Sequence, residues 1–583
     1  MNQMTFSTPK QRVLIVGAGP VGLTLAIQLH RYGIPYRLIE KNEGPSTYTK
    51  AMAVHSRTLE IFDEIGIADQ AINAGHQLNR FRIQSYGKTV LTYNFSLLDA
   101  KYPFLLCLPQ SKTEEILLKK LQSLGGNVEW QTELASVEQS AEEIQVTLKH
   151  PDGESIVKTN WLMACDGGRS AVRRQLGLSF EGALYHSHFM LADVDIAWEG
   201  ATDEGVFFLG DQAGYVAVAP LNEQNRYRLF IEMPYDLPPE SERLPLDLET
   251  FQRLCDGRGQ TMKLSNISSE TTAAFQQRRV PQLQIENVFL LGDAAHIGSP
   301  IGGQYMNMGI AEAHNLAWKL AFVEQGRAHP YLLNSYDAER RPVAIEVERT
   351  AKSLTKILTI KHKQLVKLRD SIFPKLSELT PIQRKLPWMI SGHRYNYHQS
   401  PIVQDLRLAK PKRIKFSDGK FNIEGLSDPK AGDLAPDIEL WRPRDKQPLR
   451  LIDLYKQKFV LLLLTGGDEF SPELEDWAKK SQVISKYYSV IQGYLVLDAL
   501  SPPENLSTAG VTTLLDPDWR LHRRYGLRSG GFVLIRPDGY IGFLGESVEG
   551  LEHYLQQYSM LFSDIDIEES TSSDVVPPTY AHI

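Results

Sequence analysis

The feature that most constrains this chain sits at its start. An apolar run, Val13-Leu14-Ile15-Val16, leads into Gly17-Ala18-Gly19-Pro20-Val21-Gly22, then into a helical pattern through Leu25 and Leu29 and a second short strand, Tyr36 to Glu40. Parallel strands need a crossover connection, so this order predicts a βαβ opening. Gly17 permits the tight turn, Gly19 lets the backbone approach a pyrophosphate, and Gly22 lets helix and strand pack closely. Pro20 and Val21 open the helix whose positive end faces the anion. Glu40, with Lys41 beside it, ends the second strand 18 residues after Gly22, where a carboxylate can bond ribose hydroxyls. The glycines alone are a weak signal. With strand, helix and acid in place they predict dinucleotide binding.

Two later segments repeat the pattern of an Asp and glycines directly after an apolar strand, a loop that can cradle sugar hydroxyls and phosphates. One is Leu162-Met163-Ala164-Cys165-Asp166-Gly167-Gly168-Arg169. The other is Gly292-Asp293-Ala294-Ala295-His296, continuing through Pro300 and Gly302-Gly303-Gln304 to Asn307. In order and spacing these three motifs resemble the single-component flavin-dependent aromatic hydroxylases, the para-hydroxybenzoate and phenol hydroxylase-like class, over about residues 10 to 400.

That resemblance implies FAD, with NADPH or NADH as co-substrate. The implied reaction is hydroxylation by O₂ of a phenolic or polyketide-like aromatic ring through a flavin C4a-hydroperoxide. A dehydrogenase or reductase of the same fold, without oxygen transfer, is the alternative. It also implies site residues. Gly17, Gly19, Pro20, Val21, Gly22, Glu40 and Lys41 would hold the ADP half. Arg57 and Gln110 would contact phosphate or ribityl, Gly292 and Asp293 the ribityl or pyrophosphate region, and Asp166 the pyrophosphate and pyridine nucleotide. Gly302 and Gly303 would lie at the flavin ring, Asn307 would belong to the cofactor site, and Pro300 would line the space where the substrate meets the ring. One departure stands out: the residue after Gly-Gly-Gln, usually small in this family, is Tyr305.

Several residues carry ordinary readings beside functional ones. Arg169 and Arg173 could attract nucleotide phosphates or sit on a helix surface. His296 reads as a buried histidine bonded near a helix start. His186 and His188 alternate on a strand, as do Tyr215 and Ala217, so one face of each pair can reach the pocket. Tyr215 is the candidate to contact the phenol, with a core tyrosine whose hydroxyl is bonded as the default reading.

The expected fold class is α/β. A Rossmann-like FAD-binding domain (10–180 and 280–345) is interrupted by a mainly antiparallel β substrate domain (181–279). A helical segment and linker follow (346–425), then a C-terminal unit (426–562) that resembles the thioredoxin-like domain of phenol hydroxylases. Where redox members carry CxxC, this chain reads Gly466-Gly467-Asp468-Glu469-Phe470, so thiol exchange is excluded. Packing or oligomerisation, with a homodimer left open, is the remaining use. A chain ended near residue 425 is accordingly expected to keep its flavin, with stability or oligomeric state altered if the domain packs on its neighbour. Residues 563–583 read as a disordered acidic tail. The basic run Lys352, Lys356, Lys361, Lys363, Lys367, Arg369, interleaved with Leu354, Ile357, Leu358 and Leu365, reads as a solvated helix face over a core stripe.

Charge narrows the partners. With 63 Lys and Arg against 70 Asp and Glu, the net charge of −7 argues against nucleic acid. Three distant cysteines form no zinc spacing or disulfide framework, so no metal is expected and a reducing cytoplasm fits. No segment approaches the ~20 apolar residues of an integral membrane span.

Overall fold

The computed structural model describes residues 12–557 except 47–50, 141–142, 198–203, 210–213, 259–261, 300–301, 359, 361, 378, 408–413, 418–419, 424–427, 445, 456, 466–489, 501–511 and 528. Four expectations therefore fall on residues outside the described ones: Pro300, Lys361 of the basic run, the loop 466–470 and the tail 563–583.

The first strand, Val13–Val16, is apolar and buried at every position, as a strand covered on both faces must be. It sits between Trp161–Ala164 and Tyr36–Ile39, parallel to both. Val288–Leu290 and the antiparallel edge Gln284–Ile285 complete a five-stranded sheet. The helix Pro20–Arg31 packs against the long helix Gln304–Glu324. Three of the five strands, Val13–Val16, Trp161–Ala164 and Val288–Leu290, thus open onto the three glycine-rich turns.

The middle sheet has eight strands. Two long ones, Glu181–Ala197 and Lys263–Arg279, pair antiparallel through several bulges. The hairpin Arg80–Ser85 and Lys88–Asn94 also joins this sheet, because Gly205–Leu209 pairs parallel with residues 81–85. Alternation divides the sheet into two faces. One carries Met190, Ala192, Val206, Phe208 and Val216, and covers itself with Phe251 and Cys255 of the helix Leu248–Asp256. The other is aromatic: Phe189, Phe207 and Tyr215, with Phe275 and Phe230 half-buried beside them, under Leu386 and Ile390 of the helix Thr380–Ile390.

The basic run is a correction. Leu365, Leu368, Ile372 and Leu376 of the helix Lys363–Ser377 are exposed, as is Ile357. The buried member is Arg369, which donates to Ser85 and Asp370. Satisfying a buried guanidinium fixes which face turns inward, and the leucines point to solvent.

The C-terminal sheet also has eight strands, centred on Phe459–Leu464, Gly531–Ile535 and Ile541–Gly545, with Gln404–Leu406 from the expected linker at one edge. It is not a detachable appendage. Trp318, Phe322 and Leu332 of the flavin-side helices share one core with Phe459, Leu461, Phe532 and Phe543. Beside this core lies a buried ionic cluster. Arg536 donates to Glu339 at 2.6 and 2.9 Å and to Asp538 at 3.0 and 2.5 Å, while Lys319 donates to Glu339 at 2.7 Å. Ending the chain near 425 would strip Arg536 and Asp538 from Lys319 and Glu339 and expose the shared apolar face. A chain ended near 425 is therefore expected to lose stability, the outcome foreseen if the domain packs on its neighbour.

Candidate active site

The first turn shows why its glycines are there. Gly17, at φ +102°, has no room for a side chain, since a Cβ would lie 2.4 Å from the Cys165 carbonyl oxygen. A Cβ on Gly22 would lie 1.9 Å from the Gly17 oxygen, so helix and strand touch there. Gly19 is the opposite case: nothing lies within 4 Å of its Cβ position, and it caps the helix Pro20–Arg31 with no side-chain bond. Open space above uncapped amides at a helix start fits a pyrophosphate. Glu40 holds the loop from behind: Oε2 accepts from the Ala18 amide at 3.0 Å and Oε1 from the Asn42 amide and side chain. Lys41 is exposed next to it. Val21 packs against Gly292 and Gly309, so the first and third turns meet.

Asp166 accepts from the Ala171 and Val172 amides, capping the short helix Ala171–Gln175, and its Oδ1 is buried without a partner. Burial raises its carboxyl above the usual range. Arg173 is neither a surface residue nor a free phosphate ligand. It is buried over the Phe180 ring and bonds the carbonyls of Ala294 and Gly168, bracing the second turn against the third. Arg169 is exposed.

In the third motif, Gly292 (φ +57°) begins the turn, Asp293 is exposed, and His296 is buried against Glu312 at 2.7 Å. The other Glu312 oxygen accepts from the Gly292 amide, so this pair shapes the turn. Gly303, in the left-handed region at φ +58°, caps the helix Gln304–Glu324 without a side-chain bond. Tyr305 turns away into the protein: its hydroxyl occupies the space over Gly298, where a Cβ would be 1.8 Å away, and its ring joins Met308, Val343 and Tyr395. A missing side chain at 298 thus accommodates the extra ring at 305.

Two of the residues expected at the cofactor have their side chains bonded within the protein. All four hydrogen-bonding sites of Asn307 are taken by protein: Oδ1 accepts from the His55 amide and the Thr58 hydroxyl, and Nδ2 donates to the carbonyls of Ala53 and Gly303. It ties the flavin-side turn to the helix Ser56–Glu64. Arg57, buried at the start of that helix, donates to Glu60 at 2.8 Å and to the Asp538 carbonyl of the C-terminal hairpin at 2.8 Å. Both guanidinium ends are committed within the protein. Gln110 opens the helix Gln110–Ser123, donating to Glu114 and accepting weakly from the Ala51 amide at 3.4 Å.

Tyr215 lies in the aromatic cluster, 4.2 Å between centroids from Phe207 and 5.8 Å from Phe189, and is buried. His188 bonds the Tyr235 carbonyl; the His186 side chain lies outside the described residues. The sequence offered no sign of His55. Its ring donates to the Gly302 carbonyl at 2.9 Å, and burial lowers its pKa to about 4, so it is neutral.

Three turns meeting at the carboxyl ends of a parallel sheet, one open above bare helix amides, define a dinucleotide-binding flavoprotein fold. Comparison with known proteins narrows this. Residues 10–351 match the FAD binding domain family and residues 428–559 the aromatic-ring hydroxylase C-terminal family. The chain is 31% identical over 552 residues to 6-methylpretetramide 4-monooxygenase of Streptomyces rimosus, covering 92% of this chain and 91% of that protein. It is also 31% identical over 536 residues to pentachlorophenol 4-monooxygenase of Sphingobium chlorophenolicum, covering 91% and 93%. A solved aklavinone-11 hydroxylase complex with FAD and aklavinone superposes at TM-score 0.72 with 25% identity, covering 95% of this chain and all (100%) of that one. The chain belongs to the FAD-dependent aromatic-ring hydroxylase family and is a monooxygenase using FAD and NAD(P)H. Among the described residues no helix is long and apolar enough to cross a membrane.

Proposed function

We propose that the chain hydroxylates a phenolic or fused-ring aromatic compound seated on the aromatic face of the middle sheet. The observation carrying this is the cluster Phe189, Phe207, Tyr215 and Phe275, which leaves Phe275 and Phe230 half-buried. Ring-on-ring contact favours a flat aromatic guest over an aliphatic one. Through Phe230 and Met52 this face reaches the strand Ala53–Val54, and Ala53 touches Gly303. The substrate face and the third glycine turn therefore meet at residues 52–55.

Bound FAD supplies hydride acceptance from NAD(P)H and activation of O₂. Gly17, Gly19, Gly22 and the start of the helix Pro20–Arg31 hold its pyrophosphate, Glu40 its ribose, and Asp293 its ribityl hydroxyls. The uncapped amides at Gly302–Gly303, with the positive end of the helix Gln304–Glu324, stabilise negative charge on the reduced ring. Leu386 and Ile390 cover the aromatic face and keep water from the reacting carbon.

The test is a panel of simple phenols and fused-ring aromatics screened for faster NAD(P)H oxidation, with ¹⁸O₂ and product mass. One labelled oxygen atom per product is the expected result. A reduced or dehydrogenated product without label would overturn the reading.

A further inference from the structure

The C-terminal domain lacks the thiols that would give it a redox role, yet besides the shared core and the ionic cluster it reaches the flavin side at a further point. Its last hairpin joins Gly531–Ile535 to Ile541–Gly545 through a turn in which the Gly539 amide bonds the Arg536 carbonyl. Gly539 adopts φ +80°, and its Cβ position is 3.3 Å from Arg57 Nη2. This close approach lets the Asp538 carbonyl accept from Arg57.

Arg57 cannot drift away from that carbonyl. Its other nitrogen is paired with Glu60, whose second oxygen is bonded by His393 at 2.8 Å, and its backbone amide donates to the Ser391 carbonyl. Burial works against the Glu60 charge, but His393 and Arg57 hold its carboxyl down at about 2. Two residues before Arg57 stands His55. Among the described residues its ring bonds a carbonyl, which only accepts, so Nε2 carries the proton that it donates to Gly302. Its amide bonds Asn307, which holds the Gly303 carbonyl. Gly302 and Gly303 are the two left-handed residues at the start of the helix Gln304–Glu324. Glycine adopts these angles without strain and leaves them as easily, so the bonds are what fix the turn.

We propose that the C-terminal domain is a positioning element for the flavin-facing turn, acting from the Asp538 carbonyl through Arg57 and His55 to the Gly302 carbonyl. His55 and Arg57 are positioning residues in this scheme. They set where the Gly302–Gly303 amides stand and thus how the flavin ring is seated. The proposal rests on the placement of the flavin at Gly302–Gly303 given above.

The test compares full-length His55→Phe, His55→Gln, Arg57→Lys and Gly302→Val with the wild type. Phe fills the ring's place without a donor. Gln offers an Nε2 at a similar reach. Lys keeps the charge beside Glu60 but lacks the second fork nitrogen. The readouts are FAD affinity, visible circular dichroism of the bound flavin, its midpoint potential, and melting of the apoprotein. His55→Phe and Arg57→Lys should weaken FAD roughly three- to tenfold, the range of one net hydrogen bond, and should shift the dichroism and potential. His55→Gln should restore them. Lower melting with wild-type dichroism and potential in both variants would show a merely structural role and overturn the proposal. If Arg57→Lys does not fold, the His55 pair decides alone. Gly302→Val separates the two readings: if it also leaves affinity and spectrum unchanged, the flavin placement is wrong. If Gly302→Val disturbs both while His55→Phe does not, the relay is wrong.

Discussion

Replacing Arg536 with Met tests whether buried charge fastens the C-terminal domain. Arg536, Lys319, Glu339 and Asp538 are essentially inaccessible to solvent, and their two positive charges balance two negative ones. Arg536 contributes two bonds to each carboxylate and lies 5.2–5.3 Å from the rings of Tyr397 and Trp318. Met matches much of the volume but leaves one carboxylate charge uncompensated where water cannot reach. Breaking a buried pair in this way costs about 3–5 kcal/mol, whereas the pair's net worth against well-packed apolar residues is far smaller. Domain docking should therefore weaken by roughly two to three and a half orders of magnitude. A chain of this size need not unfold in two states, so hydrogen exchange at residues 315–319 and 531–545 is the suitable assay, with melting of the loaded protein alongside. The double variant Arg536→Met, Glu339→Met restores neutrality between Lys319 and Asp538 and should recover most of the loss. A single variant within about 0.5 kcal/mol of wild type would refute the fastening role. A double variant worse than the single would refute the charge-balance argument.

Asp293→Ala should purify pale, with FAD bound ten- to a hundredfold more weakly, since a charge-assisted bond contributes about 1.5–3 kcal/mol; titration of the apoprotein with FAD checks this. Gly298→Ala places a Cβ on the Tyr305 hydroxyl and should lower stability by about 1–3 kcal/mol, with Tyr305→Leu in the same chain restoring it in a melting assay. Acid should loosen the residue 55–60 region in two stages. His55 has a folded pKa of about 4 against 6.5 in the open chain, so its contribution is complete above pH 6.5 and falls by about 3 kcal/mol toward pH 4. Glu60, held at about 2 against 4.5, loses its contribution from pH 4.5 downward. Melting temperature against pH should show both limbs, and His55→Gln should remove the upper one.

What the sequence alone determined is local. Glycines at 17, 19 and 22 between a buried strand and a helix leave few alternatives, because φ freedom, close packing and bare amides are properties of neighbouring residues. The three turns, the α/β class and dinucleotide binding followed from that, and the flavin chemistry from the resemblance the three motifs carry. The tertiary structure decided whatever depends on distant partners. Arg57 looks like any helix-start arginine, but its partner carbonyl lies 481 positions away. Asn307 looks like a ligand until its amide is seen shared among four protein groups. The hairpin at residues 80–94 reads as part of the flavin domain, yet pairs with Gly205–Leu209 across an insertion. Where the Tyr305 ring goes was not legible, because Gly298, seven residues earlier, gives no hint in sequence that it makes room. A buried charge or ring chooses its place by what surrounds it in space, and that choice is written in no single stretch of chain.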